Sequence, residues 1–233
     1  MKKVIVDKLL NNRNSMKEHA EKMIAQGVKI FDSNRIDIRG NLTYGINVEI
    51  DINVIFEGDV RLGDGVIIGA NCIINNSFIG NNSIIKPFSM VEDSIIGEST
   101  FVGPYSRIRP GTKVGNNVQI GNFIEIKNSN IESGCQVNHL SFIGDSDIGK
   151  EVIVGAGTIT CNHDGVKINR TTIDQGAYIG SGSNLVAPVK INANSTIGAG
   201  STITDDTPKD ALTVARSRQV TVNGWKSKKS SNN

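Results

Sequence analysis

The stretch Val114–Val137, VGNNVQIGNFIEIKNSNIESGCQV, carries an aliphatic residue at almost every sixth position. The spacing continues through most of the chain, with an occasional step of five residues. These apolar anchors are Ile50, Phe56, Leu62, Ile68, Ile74, Ile79, Ile85, Val91, Ile96, Val102, Ile108, Val114, Ile120, Ile126, Ile131, Val137, Ile143, Ile148 and Val154, then Ile173, Ile179, Leu185, Ile191, Ile197 and Ile203. Small or β-branched residues follow four positions later, as at Ser106, Thr112, Val118, Cys135, Ser141, Thr158, Ser183 and Ser201. A hexapeptide repeat of this kind predicts an all-β fold, the parallel β-helix.

Three hexapeptides are expected to form one coil of a triangular prism. The five-residue steps 74→79, 91→96, 126→131 and 143→148 all fall at the same one of the three corners. The interruption at residues 161–172 falls at that corner as well. This coincidence predicts a three-sided prism with its insertions on one edge, and equivalent positions of successive coils about 4.8 Å apart.

The sequence divides into three segments. Residues 1–47 are an N-terminal segment with a linker-type helix, in which the capping box Ser15–Glu18 predicts a short helix that ends near Gln26 at Gly27, after an irregular stretch 1–14. Residues 48–205 are the β-helix, with a protruding loop at 161–172. Residues 206–233 form an irregular C-terminal tail.

Composition argues against several classes of protein. The net charge is +2 and no basic stripe follows the repeats, so we expect no nucleic-acid partner. The basic cluster Lys226, Lys228 and Lys229 is interpreted as a solvated end. No apolar run approaches the ~20 residues that span a bilayer, and the N-terminus lacks the features of a signal peptide. Three cysteines without paired spacing predict reduced thiols in a cytoplasmic protein.

Stacking of the coils places outward side chains in columns. Two residues after the anchors of one face, the column contains Pro87, Pro104, Asn122, His139, Ala156, Ser181 and Ala199. His139 is therefore an exposed imidazole on a rigid face, and we expect the neighbouring polar side chains to converge with it on one corner. These neighbours are Arg109, Glu125, Lys127 and Asn162, with Phe142 stacked on Glu125. The small residues above His139 form a track of about 14 Å, long enough for a pantetheine arm.

This constellation suits acyl transfer. A neutral imidazole can take a proton from an attacking amine, and two cations one coil apart suit a phosphate on the second substrate. The Ala156 N–H could stabilise the oxyanion of a tetrahedral intermediate. No metal is expected, because His19 belongs to the terminal helix and His163 to the loop, so three histidines do not converge.

Several stretches resemble one known family. They are Arg107–Gly111, Gly121–Lys127, Asn138–Asp145 and Gly155–Gly165, with Asp37–Gly40 and Ser181–Pro188. In motifs and spacing they are similar to the C-terminal half of the bifunctional N-acetylglucosamine-1-phosphate uridyltransferase/glucosamine-1-phosphate acetyltransferase family, within the hexapeptide-repeat acyltransferases. The similarity extends from about Leu10 to Trp225.

The resemblance implies a left-handed helix and a homotrimer with active sites between chains, which the loop and tail help to complete. It implies that His139 is the base and that Arg109 and Lys127 hold the sugar phosphate. The acetyl-CoA residues would be Ala156, Asn162, His163, Ser181, Ala199 and Arg216.

The chain departs from the family pattern mainly on the sugar side. Phe142 stands where the family has Tyr, Ile153 where it has Asn, and Ile168 where it has Lys, with Lys167 next to it. In the loop, His163 replaces a Tyr. Each lost buried hydrogen bond weakens binding by about 1 kcal/mol, which points to a different or relaxed acceptor. The family's nucleotidyltransferase domain is not in this sequence, so we expect no uridylyl transfer.

We therefore predict an acetyl-CoA-dependent N-acetyltransferase acting on glucosamine 1-phosphate or a closely related amino-sugar phosphate, in the biosynthesis of UDP-N-acetylglucosamine for cell wall or lipopolysaccharide. In it, Glu125 would orient the imidazole or the amine. Two alternatives stay open: acetylation of a nucleotide-linked amino sugar, and a non-catalytic β-helix remnant. An ice-binding surface is disfavoured, because the Thr-x-Thr pairs Thr158/Thr160 and Thr202/Thr204 form no continuous ladder.

Overall fold

The computed structural model describes residues 2–225, with side chains from residue 12 onward; the basic cluster at 226–229 lies outside this range. The chain begins with helix α1 (Lys2–Ala25), which is much longer than the predicted helix. The prediction that residues 1–14 are irregular was wrong, because Ser15–Glu18 lies inside the helix and does not cap it. Arg13 explains part of the difference: its guanidinium donates to Asp37 and to the Ile36 carbonyl, which ties this part of the helix to the body.

The end of α1 is as predicted within one residue. Gly27 adopts φ +97°, and the Val28 N–H donates to the Met23 carbonyl at 3.0 Å. This pattern is a Schellman cap, in which a glycine in the left-handed region closes the last turn.

The rest of the chain consists of short strands. After a 3-10 turn at Ser33–Arg35, the first ten are β1 (Lys29–Ile30), β2 (Ile36–Tyr44), β3 (Glu49–Ile50), β4 (Val54–Leu62), β5 (Ile67–Ile68), β6 (Ile73–Asn75), β7 (Phe78–Ile79), β8 (Ile84–Ile85), β9 (Met90–Glu92) and β10 (Ile95–Ile96). The next nine are β11 (Phe101–Val102), β12 (Arg107–Ile108), β13 (Lys113–Val114), β14 (Gln119–Asn122), β15 (Glu125–Lys127), β16 (Asn130–Ile131), β17 (Gln136–His139), β18 (Phe142–Gly144) and β19 (Ser146–Ile148). The last nine are β20 (Ile153–Val154), β21 (Ile159–Cys161), β22 (Thr171–Ile173), β23 (Tyr178–Ile179), β24 (Asn184–Val186), β25 (Val189–Ile191), β26 (Thr196–Ile197), β27 (Thr202–Ile203) and β28 (Leu212–Thr213).

These strands form the three faces of a parallel β-helix, which confirms the predicted fold class. The first face is an 11-stranded sheet that runs from β1 to β28. The second face stacks β6, β9, β12, β15, β18, β21, β24 and β27, and the third stacks β7, β10, β13, β16, β19, β22 and β25; the long strands β2 and β4 contribute to both. The five-residue steps and the loop all lie at the second–third corner, as the spacing predicted.

The core is the stack of anchors inside the prism. Every anchor from Ile50 to Ile203 is buried, and the small residues between them fill the corners. Their hydroxyls bond to carbonyls of the next coil, as Thr100 does to Gly115 at 2.8 Å. Cys72 and Cys135 occupy two of these inward positions as free thiols, and burial raises the pKa of each to about 11.

Parallel pairing extends beyond residues 48–205 at both ends. Lys29 pairs with Glu49, so the first coil begins inside the segment that was assigned to the linker. At the other end, Leu212 of β28 pairs with Thr196, and no strand follows Thr213 in the described chain. The anchor spacing is less regular in these terminal coils, which is why the sequence pattern did not include them.

Candidate active site

His139 lies at the corner where the first face turns into the second. It is the last residue of β17 and pairs in register with Asn122, the last residue of β14. The Gly157 N–H donates to the His139 carbonyl, the Gly182 N–H to Ala156, and the Gly200 N–H to Ser181. These bonds place His139, Ala156, Ser181 and Ala199 one above another, as the repeat count predicted.

The surface above His139 is bare. Gly157, Gly182 and Gly200 follow the column residues and have φ of 73°, 70° and 73°, the left-handed region that favours glycine. A Cβ built on Gly157 or Gly182 meets only the next glycine of the same row, at about 3.8 Å or more. We call this row, with Ala156, Ser181 and Ala199, the glycine track. It can accept a thin, flexible chain without moving any large side chain.

Below His139 the same corner carries bulky side chains in place of glycine. Phe88, Tyr105, Phe123 and Leu140 form this aromatic ridge, each at a positive φ between 48° and 62°. The rings of Phe88 and Tyr105 stack at 5.0 Å, and those of Tyr105 and Phe123 at 5.4 Å. All four residues are at least 50% exposed. A non-glycine residue in this conformation costs roughly 1–2 kcal/mol, so the ridge combines backbone cost with exposed apolar surface.

The imidazole of His139 is held by Asn122. The imidazole Nδ1 lies 2.8 Å from Asn122 Oδ1, within hydrogen-bond distance. The expected orienting contact from Glu125 to the imidazole is not formed, because Glu125 Oε1 accepts from Arg109 Nη1 at 2.7 Å. Sequence reasoning missed Asn122, although it lies one coil below His139 in the same column.

The two cations predicted to bind the acceptor phosphate, Arg109 and Lys127, lie across the second face from His139. Arg109 and Lys127 follow their anchors, which places them at the ends of β12 and β15, towards the next corner. The prediction that they share a single corner with His139 was therefore wrong, because the second face separates them from the corner that carries the imidazole. The two cations are also matched by acids, since Lys127 Nζ lies 3.7 Å from the Asp145 carboxylate, in addition to the pair between Arg109 and Glu125.

Phe142 and Asn162 lie together on this second face. A Cβ built on Gly144 would come within 2.6 Å of the Phe142 ring and 2.8 Å of the Asn162 amide. The glycine therefore lets the ring lie flat over the strand beside the loop. This part of the second face therefore carries an apolar ring at Phe142 beside the amide of Asn162.

Asp145 organises this end of the face. Its side chain is nearly completely buried and accepts hydrogen bonds from Asn128 Nδ2 at 2.6 Å and Asn162 Nδ2 at 2.5 Å. Burial opposes ionisation, yet the two amide donors and the charges of Lys127 and Arg170 hold the pKa of Asp145 below its ordinary value of 3.8. The carboxylate therefore fixes both the loop amide and the Lys127 cation. Its neighbours in sequence gave no sign of this burial.

The loop between Cys161 and Thr171 is held by hydrogen bonds both at its base and within the loop itself. At its base, Arg170 makes two hydrogen bonds to Asp147, at 2.7 and 2.9 Å. Within it, the Asp164 carboxylate accepts from the backbone N–H groups of Lys167 and Val166, which lower the pKa of Asp164 to about 2. His163 is exposed, and its Nδ1 accepts from the Gly165 N–H at 3.0 Å.

The remaining predicted residues occupy different places. Arg216 lies at the top of the glycine track, where its Cδ is 3.7 Å from a Cβ built on Gly200. Ile153 lies on the first face, between Gln136 and Tyr178, and its side chain is 39% exposed. Ile153 and Phe142 of one chain are therefore on different faces and do not line a common surface.

Two negative findings apply to the described residues. They contain no group of three His, Cys, Asp or Glu side chains arranged to hold a metal ion. Within residues 2–225, no helix combines the length and apolar character that a bilayer crossing requires.

Comparison with known proteins confirms the family resemblance. Residues 170–205 match the bacterial transferase hexapeptide family (six repeats), and residues 38–112 match the GMPPB C-terminal domain. The bifunctional protein GlmU of Methylobacillus flagellatus is 49% identical over 208 residues, which are 89% of this chain and 45% of that protein. The chain belongs to the hexapeptide-repeat acyltransferases.

Other relatives agree with this assignment. GlmU of Aromatoleum aromaticum is 52% identical to the acyltransferase over 207 residues, 89% of this chain and 46% of that protein. The acyltransferase thus spans about half the length of the curated relatives that it matches. The crystal structure of Arabidopsis UDP-N-acetylglucosamine acyltransferase superimposes with a TM-score of 0.52 at 15% identity, over 81% of this chain and 70% of that one. At this identity the likeness concerns the fold alone.

Proposed function

We propose that this acyltransferase transfers the acetyl group of acetyl-CoA to the amine of glucosamine 1-phosphate or a closely related amino-sugar phosphate. The observation that carries the proposal is the position of His139, an exposed imidazole at the lower end of the glycine track. A donor arm on that track would bring its thioester to the imidazole. The identity of about 50% to GlmU proteins over most of the chain supports the same class of reaction.

The chemical step follows from the imidazole and the Ala156 amide. The acceptor amine attacks the thioester carbonyl, and His139 Nε2 takes the proton that the nitrogen loses. The Ala156 N–H, which has no acceptor among the described residues, can donate to the oxyanion of the tetrahedral intermediate. The C–S bond then breaks, and the imidazolium returns its proton to the departing CoA sulfur. The products are an acetamide and free CoA.

Donor binding is assigned to the glycine track and its upper end. Ser181 and Ala199 line the track, and Arg216 above it suits a phosphate of CoA. Asn162 and His163 enter from the loop side. Since Asp145 accepts from the Asn162 amide, the Asn162 side chain would already be oriented before acetyl-CoA binds. The free, mostly buried thiols fit a reducing cytoplasm, where we place the enzyme.

Acceptor binding is assigned to the second face. Lys127 Nζ lies 3.7 Å from the Asp145 carboxylate, and Arg109 uses one of its N–H groups to bond to Glu125. Both side chains therefore keep N–H groups that can donate to a phosphate. Phe142 would pack against the sugar ring without offering a hydroxyl. Ile153 would add an apolar contact from the first face.

A second copy of the chain is needed to complete such a site. Phe142 and Ile153 lie on different faces, so a pocket that includes both must take them from two chains. The aromatic ridge is continuous with the site and is at least half exposed in the single chain. Burial of the exposed half to two thirds of Phe88, Tyr105, Phe123 and Leu140 against another copy would recover about 1–2 kcal/mol for each side chain. We therefore propose the homotrimer that the resemblance implies, with sites between chains.

A specific observation keeps one alternative acceptor under consideration. The sugar side offers Phe142, Ile153 and Ile168, three apolar side chains, and Ile168 is 53% exposed on the loop. A nucleotide-linked amino sugar could place an apolar or aromatic group against them. The same mechanism would then serve a larger acceptor.

The test is acetyl transfer by the full chain across a panel of amino sugars. Release of thiol from acetyl-CoA is measured with glucosamine 1-phosphate, glucosamine 6-phosphate, glucosamine and a nucleotide-linked glucosamine, and each product is identified by mass spectrometry. We expect glucosamine 1-phosphate to be among the best acceptors. If it is clearly the worst while the nucleotide-linked sugar is acetylated, the alternative acceptor replaces it.

The role of His139 is tested with matched variants. His139→Ala should reduce turnover by about 10²–10⁴-fold, the range for loss of a general base. His19→Ala removes an imidazole of helix α1 and should leave turnover unchanged. A chain that neither turns over nor binds CoA would instead be a non-catalytic β-helix.

A further inference from the structure

Asn122 is the side chain that contacts the imidazole of His139. The Nδ1···Oδ1 distance is 2.8 Å, and the two residues are register partners on adjacent strands of the first face. β14 and β17 each have four residues, because this pairing continues to the corner, whereas the neighbouring β11 and β20 have two. The contact is therefore part of the sheet edge on which the proposed base stands.

The backbone at Asn122 is held on both sides. A Cβ on Gly121 would lie 1.9 Å from the Asn138 carbonyl oxygen, so only glycine permits the close approach of the two strands there. On the other side, the Phe123 ring stacks on Tyr105, and the Leu140 N–H donates to the Asn122 carbonyl at 3.1 Å. The Asn122 amide is thus presented to the imidazole from a fixed point.

We propose that Asn122 is a positioning residue that holds His139 in the tautomer required of a base, an inference that rests on the proposed function. An amide oxygen can only accept, so Nδ1 must carry the hydrogen. A neutral imidazole has one N–H, and Nε2 is then left with a free lone pair. The ring is also prevented from rotating, which directs Nε2 towards the glycine track.

An amide performs this task without adding charge. A carboxylate in the same place would favour the imidazolium, which cannot accept a proton. The charged groups on the second-face strands next to His139 are engaged with one another: Arg107 with Glu92, Arg109 with Glu125, and Lys127 with Asp145. The outward side chains beside His139 on the first face are the uncharged Gln119, Gln136 and Asn138.

The tautomer can be measured directly, without any substrate. The chain has 3 histidines, so ¹⁵N-histidine labelling gives few signals, and the His139→Ala variant assigns the one of interest. In the wild type above neutral pH, we expect Nδ1 to carry the proton and Nε2 to have the shift of an unprotonated nitrogen. In Asn122→Ala, the signals should move towards the Nε2–H form that free imidazole prefers. Unchanged signals in Asn122→Ala would overturn the proposal.

Kinetics distinguish positioning from a merely structural role. Asn122→Ala should lower kcat/KM by about 10- to 100-fold, less than the ~10²–10⁴-fold loss of the base itself. Asn75→Ala, which removes another outward amide at a strand end, is the matched control and should retain wild-type values. Asn122→Asp keeps the acceptor oxygen but adds a charge, so the acid limb of the pH–rate profile should move to higher pH, with activity recovered above it.

The two proposals fail separately. If Asn122→Ala turns over like Asn75→Ala, or if Asn122→Asp has the wild-type pH profile, then Asn122 does not position the base. If the wild type transfers no acetyl group to any acceptor, the proposed function fails, and the histidine spectra still decide whether Asn122 selects the tautomer.

Discussion

The buried carboxylate of Asp145 gives the sharpest stability prediction. In the wild type, Asn128 and Asn162 each donate to a different oxygen of the Asp145 carboxylate. The Asp145→Asn side chain keeps only one acceptor oxygen. One amide donor therefore loses its acceptor, and the remaining bond loses its charge. Because a hydrogen bond to a charged group contributes about 1.5–3 kcal/mol, we expect a loss of about 3 kcal/mol in the free energy of unfolding. For a chain of this size that lowers Tm by about 6–12 °C.

Asp93 supplies a matched control for this variant. It occupies the same corner three coils earlier and also has a positive φ. It accepts from Asn76 Nδ2 at 3.1 Å, but it is exposed. Asp93→Asn should therefore cost no more than about 0.5 kcal/mol, as is usual for exposed substitutions. Thermal unfolding of both variants is followed by circular dichroism at one fixed protein concentration, since association also shifts Tm.

The pH dependence has a definite sign. The folded pKa of Asp145 is below 3.8, so its ionised form stabilises the fold fully above pH 3.8 and progressively less as the pH falls through the folded pKa. The difference in stability between wild type and Asp145→Asn should narrow in that range. The reasoning is refuted if Asp145→Asn is no more destabilised than Asp93→Asn, or if the difference stays constant as the pH falls well below 3.8.

Two further predictions concern the glycine track and the thiols. Ser181→Trp should weaken acetyl-CoA binding by at least about 10-fold in calorimetry, an effect of about 1.4 kcal/mol. Lys150→Trp places the same side chain at the equivalent position of another corner and should bind acetyl-CoA normally. Equal affinities of the two variants would show that the donor lies elsewhere. With a thiol reagent at pH 8, Cys161 should react in the native protein, whereas Cys72 and Cys135, whose pKa is raised to about 11 by burial, should react only after unfolding. Fast reaction of more than one thiol per native chain would contradict this.

Backbone register could be predicted from the sequence because the anchors leave no alternative. A shift of one residue would turn every Ile and Val of a strand outwards, so the repeat fixes which residues stack. The column from Asn122 to Ala199 and the corner that carries the loop followed from counting alone. The glycine track was present in the same count, as Gly157, Gly182 and Gly200, but only the left-handed φ values show why these positions are bare.

Side-chain partners and element ends could not be predicted in the same way. Whether Glu125 bonds to Arg109 or to His139 depends on which side of a corner each side chain leaves the coil, and the repeat does not specify that. The burial of Asp145 depends on Asn162, which arrives from a loop outside the repeat. Helix α1 begins well before Ser15, because contacts such as that of Arg13 with Asp37 outweigh the capping signal at Ser15.

Because bulky side chains give way to glycine at one level of the corner, the number of coils above that level sets the length of the glycine track. Each coil contacts only the coils above and below it, so whole coils can be gained or lost without altering the bonds of the others. The span from His139 to Arg216 is then a whole number of steps of about 4.8 Å. Duplication or deletion of a coil would retune the length of acyl donor that fits, in discrete increments, while the reacting end kept its chemistry.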